Sequence, residues 1–503
     1  MGASSAIDPR TPCLIGVGQH TWHPDQSAGP ETLTRRPEPL VMWEQVARTA
    51  ALDAAARQGA GAVLEHLDAI RVVYCQSWPY DDPPGRLAER LGVSVAMAEY
   101  AGIGGTRPAQ LLVDTAHRMA AGELDLALVV GGEALDTKRR AKRVGERLPW
   151  SHRHPEPPAF PLEAPFLDTE IAHEVFQALA LFDIGRRAAE GIAPEGYRRQ
   201  LGERFAPMTE VAARHPGAWF PTARSAEELV TPTEANRMVG YPYTKYLVAV
   251  MDVDMAAGVL LATHQRADDL GVPADRRVDL RGASQLRDQN YGAALDMAGV
   301  GVDEGAHLDL YSCFPASVAF ACDALGLAPT DPRPLTVTGG LPYHGGPGSN
   351  YLSHALATMV EVLRSDPGSF GLVTGVGMHM SSHAAAVWST IPPAGPLTWP
   401  DDAETQRRLD GEHLALPVLD RATGEARIVT YSVVHGRDGS PSWALLVCQL
   451  PTGDRTYART EDLALLDALE EDEWVGATVA LAASAAGINV AHASCPDRQG
   501  SEG

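Results

Sequence analysis

Gly104-Gly105-Thr106-Arg107-Pro108 opens a helical pattern that runs to Gly122; residues 124–130 are then mostly apolar and end at Gly131-Gly132. Far downstream, His344-Gly345-Gly346-Pro347-Gly348 opens a second helical pattern that runs to Arg364. Residues 370–374 follow and end at Gly375-Val376-Gly377. Each stretch reads as a glycine-rich elbow, a long helix, a short turn and a buried strand. A duplicated unit of this kind brings two helix N-termini toward one centre. Their free N–H groups and positive dipole ends suit an oxyanion or a thioester carbonyl.

The pattern around the elbows extends the same grammar. Residues 12–18 read as a strand, 41–57 as an alanine-rich helix, 70–74 as a strand and 83–91 as the start of a helix. Alternating helices and apolar strands predict an α/β fold with buried sheets. Between about 136 and 240 charges, prolines and histidines cluster and periodicity weakens, which reads as an insertion, partly helical over 170–187. Regular patterning resumes at 254–267, 308–310 and 316–325. Pro392, Pro393, Pro396 and Pro400 mark a linker. Beyond it, 426–434, 443–450 and 455–459 read as strands with tight turns between them, which predicts a small antiparallel barrel.

Composition removes several classes of function. Among 503 residues, 64 acidic against 41 basic side chains give a net charge of −23, so a nucleic-acid partner is not expected. Cysteines at 13, 75, 313, 322, 448 and 495 show neither zinc spacing nor a disulfide framework, and a reduced cytoplasmic setting is the simplest expectation. No signal peptide is visible around Asp8, Pro9 and Arg10. The most apolar span, 246–263, contains Asp252 and Asp254, so a membrane helix is not expected. His379 and His383 are four apart but lack a third ligand, so no metal is expected.

Four segments carry a family resemblance over roughly residues 12–390. Ala121-Gly122-Glu123-Leu124-Asp125, leading to Gly131-Gly132-Glu133, is similar to the segment after the nucleophilic helix of thiolases. Asp254-Met255-Ala256-Ala257-Gly258 and Val259-Leu260-Leu261 are similar to the last strand of the thiolase first half. Gly339-Gly340 with His344 and Pro347 is similar to the Gly-His-Pro segment, and Gly375-Val376-Gly377 to the last, cysteine-bearing motif. The chain resembles the thiolase superfamily, above all its sterol-carrier-protein type and the thiolase-like proteins with an extra C-terminal domain. The resemblance implies two duplicated halves, 12–270 and 271–391, in a five-layered α-β-α-β-α core. The inserted region becomes the family's loop domain, and 400–492 an oligonucleotide-binding-like barrel.

The same resemblance exposes a departure. A thiolase needs a thiolate at the N-terminus of its central helix and a second cysteine as acid/base. Their positions fall on Gly105 and Gly375. His344 matches the family's catalytic histidine, although Gly346 lengthens its turn by one residue. Tyr311, in Asp309-Leu310-Tyr311-Ser312-Cys313-Phe314, stands where the family has Asn or His and would donate a hydrogen bond or exchange a proton. Backbone groups at Gly105 and Gly377 are the expected oxyanion donors. Arg139, Arg140 and Lys142 form a basic run that fits coenzyme A phosphates or a solvated face equally well. Tyr243 and Lys245 would touch ligand or fix their loop.

Three functions follow as expectations. The first is an acetyl-CoA acetyltransferase-like protein of acyl-CoA metabolism that binds CoA or its thioesters and lacks thiolase activity. The second is a retro-aldol lyase acting on a 3-hydroxyacyl-CoA through Tyr311 and Tyr343. The third is a non-catalytic CoA-ester-binding protein. Coenzyme A enters as ligand, with no tightly bound cofactor, and the chain is a monomer or homodimer.

Overall fold

The computed structural model describes residues 7–24, 30–157, 175–288, 291–328, 331–412, 416–485 and 487–493. The core is one nine-stranded sheet. Its strands are β1 (Pro12–Thr21), β2 (Ala69–Val72), β3 (Met97–Tyr100), β4 (Leu126–Ala134), β5 (Asp254–Thr263), β6 (Val278–Leu286), β7 (Gly305–Asp309), β8 (Phe370–Gly377) and β9 (Ser382–Ser389). Their order is β3-β2-β4-β5-β1-β6-β9-β8-β7. The duplication is explicit in the pairing. β2 and β4 are parallel, β4 and β5 antiparallel, β5 and β1 antiparallel. Likewise β7 and β8 are parallel, β8 and β9 antiparallel, β9 and β6 antiparallel. The halves join at a narrow seam, Cys13 opposite Asp279 and Leu14 opposite Val278.

Strand alternation sorts side chains into layers. Leu14, Val17, Ala127, Val129, Val373 and Ala386 face a central core that holds the first elbow helix (Arg107–Ala121) and the second (Tyr351–Ser365). The intervening Cys13, Ile15, Leu128 and Val130 face outward onto the Pro39–Asp53 helix. Leu372, Ala385 and Val387 face outward onto the Gly292–Ala298 and Pro315–Leu325 helices. Helix, sheet, helix pair, sheet, helix is the five-layered arrangement. Glycine permits the outer contacts at equivalent places: a Cβ on Gly16 of β1 would lie 2.1 Å from Ala50 O, and one on Gly282 of β6 1.9 Å from Ala294 O.

The first part of the expected insertion packs against the outer layer. The Leu135–Val144 helix belongs to the outer layer, where Ala141, Leu148 and Trp150 are buried. Residues 170–174 of the expected helical stretch lie outside the described residues; the Val175–Ala189 helix follows, then Pro194–Arg214 and Ala226–Val230. Insertion and core are joined by Asp183, which accepts from the phenols of Tyr197 and Tyr243, with the Tyr243 ring 5.9 Å from that of Phe314.

The C-terminal strands β10 (Gly424–His435), β11 (Pro441–Gln449), β12 (Arg455–Thr460), β13 (Thr478–Ala483) and β14 (Asn489–Ala493) close into a five-stranded barrel. The ring runs β10-β11-β12-β14-β13 and back to β10. Leu465, Leu466 and Leu469 of the Leu463–Glu471 helix pack into it, and so do Ile184 and Tyr241 of the insertion. Gly240 pairs with Val434 of β10, and Arg187, fully buried, meets Glu473 at 2.7 Å. Among the described residues no helix is long and apolar enough to cross a membrane.

Candidate functional site

The elbows meet where the duplication predicts. Gly104 N donates to Ser349 Oγ at 3.0 Å, which ties the first elbow to the second. Gly105 faces the other half of the molecule: a Cβ there would lie 2.2 Å from Val376 O and 2.3 Å from the Tyr311 hydroxyl. A Cβ on Gly377 would lie 3.0 Å from Thr106 Oγ1, and one on Gly375 2.6 Å from Leu352 Cδ1 and 3.6 Å from Thr106 Cα. Thr106 Oγ1 and Ser382 Oγ are 3.0 Å apart. Gly105, Tyr311, Gly375 and Gly377 therefore converge at the N-terminus of the first elbow helix.

Tyr311 is held by its backbone. Its N–H donates to Thr374 Oγ1 at 3.0 Å, and its carbonyl accepts from Ser317 Oγ at 2.7 Å. Burial pushes its phenol far above the usual range, so it stays protonated and acts as a donor. The neighbouring Cys313 thiol is pushed up to about 12 by burial and rests 3.7 Å from Ser317 Oγ, which leaves it an inert thiol.

Tyr351 links Tyr311 to the second elbow, with ring centroids 5.6 Å from Tyr311 and 6.1 Å from His344. Its hydroxyl donates to Asp309 Oδ1 at 2.9 Å and contacts Thr338 Oγ1 at 2.7 Å. Asp309 also accepts from Thr336 Oγ1 at 2.8 Å and Val337 N at 3.1 Å, and burial raises its carboxyl. Neither Tyr351 nor Asp309 stood out in the sequence, although a tyrosine opening an apolar helix beside a glycine elbow is a usable signal.

His344 is enclosed. Its N–H donates to Gly340 O at 2.7 Å, and its carbonyl accepts from Trp219 N of the insertion at 2.8 Å. Burial lowers its pKa well below the ordinary value, so the ring is neutral. Two histidines missed by the sequence surround it: His215, 4.8 Å away at the end of the Pro194–Arg214 helix, and His354, 5.3 Å away on the second elbow helix. Tyr343 is buried, and its hydroxyl has no partner among the described residues.

The basic run is paired with aspartates. Arg139 contacts Asp136 and Asp252, each at 3.0 Å, and Arg140 contacts Asp136 at 2.6 Å, while Lys142 is exposed. Lys245 is exposed beside Tyr246, on which Arg224 stacks at 4.0 Å. That pair lines a pocket of about 330 Å³ with Ser225, Glu228 and Thr231. Tyr243 is fully buried and fixes the loop through Asp183.

His379 lies in the β8–β9 turn, and His383 Nε2 contacts Met380 O at 2.8 Å. The one group with metal-ligand spacing among the described residues is Cys13, His264 and Asp279, on the outer face of the seam. Arg277 Nη1 donates to His264 Nδ1 at 3.4 Å, which puts the imidazole proton on Nε2, 2.5 Å from Asp279 Oδ1. A metal there would have to displace that proton beside a guanidinium, so the donor set fits a hydrogen-bonded pair better.

Comparison with known proteins agrees with this architecture. Residues 405–484 match the thiolase-like protein type 1 additional C-terminal domain. No curated protein matches the sequence. Human mitochondrial 3-ketoacyl-CoA thiolase in complex with CoA is similar in fold, at 16% identity and a TM-score of 0.53, covering 76% of this chain and 99% of that one. The Ltp2-ChsH2(DUF35) aldolase is similar in fold at 14% identity and a TM-score of 0.57, covering 76% and 99%. A monomeric SCP2-thiolase-like protein type 1 from Mycobacterium smegmatis is 30% identical with a TM-score of 0.82, covering 97% of this chain and 100% of that one. On that likeness, spanning both halves, the insertion and the barrel, the chain belongs to the SCP2-thiolase-like proteins of type 1 within the thiolase superfamily.

Proposed function

We propose that the protein binds CoA or a CoA thioester at the elbow site and has no thiolase activity. One observation carries this: the space a nucleophilic side chain would need at Gly105 is taken by the Tyr311 hydroxyl, 2.3 Å from a Cβ at that position. Without a thiolate at the helix end there is no group to accept the acyl chain. CoA as ligand is supported by the fold shared with a thiolase whose structure contains it. The monomeric relative and the free cysteines among the described residues support a monomer in a reducing, cytoplasmic setting. The test is incubation with acetoacetyl-CoA and free CoA, with acetyl-CoA measured by mass spectrometry. Calorimetric binding of CoA without product is the expected result, and acetyl-CoA formation at an enzymatic rate would sink the proposal.

The second reading is retro-aldol cleavage of a 3-hydroxyacyl-CoA. It is favoured by the phenol standing where a thiol would be, and by the fold shared with an aldolase. Such cleavage needs a base for the hydroxyl and a donor for the enolate but no nucleophile. Tyr311→Phe should then abolish cleavage while leaving thioester affinity intact. If the wild type shows binding without cleavage, the non-catalytic reading stands instead.

A further inference from the structure

Three histidines from three parts of the chain sit ring against ring: His215, His344 and His354. His344 and His354 are almost completely buried. No Asp or Glu among the described residues hydrogen-bonds to any of the three. Their neighbours fix which nitrogen carries each proton. His215 Nδ1 accepts the N–H of Gly217 at 3.1 Å, so its proton sits on Nε2, which donates to Thr358 Oγ1 at 3.0 Å. His354 Nδ1 faces Gln19 Oε1 at 3.1 Å, and an amide oxygen only accepts, so that proton sits on Nδ1. Gln19 is oriented by its own Nε2, which donates to Thr358 Oγ1 at 3.1 Å. His344 Nδ1 points at Gly345 O, 3.5 Å away, and carries its proton in the same way.

A neutral imidazole has one proton, so Nε2 of both His344 and His354 is a bare lone pair. Neither has a partner among the described residues. Burial holds the rings neutral, pushing His354 down to about 3 and His215 to about 4. Buried polar atoms are almost always paired, and two adjacent acceptors call for a donor.

We propose that His344 and His354 form a buried acceptor pair that binds one small hydroxyl donor: a water, which can donate to both Nε2 atoms, or the single O–H of a bound ligand, which donates to one of them. Gln19 is a positioning residue, which holds the His354 tautomer, and His215 shares its Thr358 hydroxyl partner. An oxyanion does not fit, because neither Nε2 has a proton to give. A cation fits poorly, because the site offers no carboxylate and His215 already uses both nitrogens. His344 therefore meets its guest as an acceptor. Only the ligand arm of the test rests on the thioester-binding function proposed above.

The experiment combines an atomic-resolution crystal structure of the unliganded full chain with ¹⁵N NMR of its histidine side chains. One density peak within hydrogen-bond reach of both Nε2 atoms, and unprotonated Nε2 shifts that report an accepted hydrogen bond, are expected. A proton on Nε2 of either ring, or free lone-pair shifts with no density, would overturn the proposal. The ligand arm titrates two thioesters that differ only by a hydroxyl. A preference of about tenfold for the hydroxylated one, erased in His354→Leu, identifies the ligand O–H as the guest. A retained peak without that preference identifies water. If thioesters do not bind at all, the crystal and NMR arms on the wild type still decide the acceptor pair, independently of whether His354→Leu folds.

Discussion

The two elbows share a topology and differ in chemistry. The first, Gly104 to Thr106, presents almost no side chain, and its space is filled from the opposite half by Tyr311. The second carries His344 and is ringed by Tyr351, His354 and, from the insertion, His215. Strand order and helix placement are kept in both halves because buried sheets and close-packed helices tolerate little change. The reacting groups are freer, since a side chain can be lost from one half and its space taken by the other.

The comparison can be broken first at its packing. Gly16→Ala and Gly282→Ala would each drive a Cβ into a helix carbonyl, and each should cost about 3 kcal/mol or more, read by urea unfolding. Strongly unequal losses would mean that the halves are not packed alike. The joint between insertion and core is tested by pH. Burial raises the Asp183 carboxyl to about 6, so the folded state binds that proton more tightly than the unfolded chain. The resulting stabilisation is complete below about pH 4 and lost as pH rises through about 6, on the order of 3 kcal/mol. Wild-type stability relative to Asp183→Asn should fall across that window, and a flat difference would contradict a carboxylate buried between two phenols.

The elbows are separated next. Gly105→Cys meets both a backbone carbonyl and the Tyr311 hydroxyl and should cost about 3 kcal/mol without restoring thiolysis, whereas Gly375→Cys meets the end of the Leu352 side chain and should cost under about 1 kcal/mol. Equal costs would remove the steric distinction. The smallest effect is expected at the basic run. Arg139→Ala and Arg140→Ala should each change stability by about 0.5 kcal/mol or less, since both pairs are solvent-exposed on the arginine side. A several-fold fall in CoA affinity in either variant would assign the run to phosphate binding.

The sequence made the fold legible because glycine punctuation and apolar runs are local signals. It located Gly105, Gly375, Gly377 and Tyr311, which the structure brings together. His354 was not legible: it sits in Leu352-Ser353-His354-Ala355 and reads as an ordinary buried helix position. His215, Tyr351 and Asp309 are likewise single residues on separate elements, and only tertiary packing gathers them. The barrel was half legible. β10 to β12 carry bulky alternating residues, but β13 and β14 are short and alanine-rich, with little pattern to read.

Because Ile184 and Tyr241 are packed into the barrel's interior, the barrel acts as ballast on the insertion. A flap of a few helices could swing by itself; this one has to carry a folded body with it. Any opening over His344 would therefore have to be a domain-scale movement, on the order of microseconds to milliseconds, instead of the nanosecond flicker of a loop. A cargo fused to the barrel would slow access to a centre that it never touches.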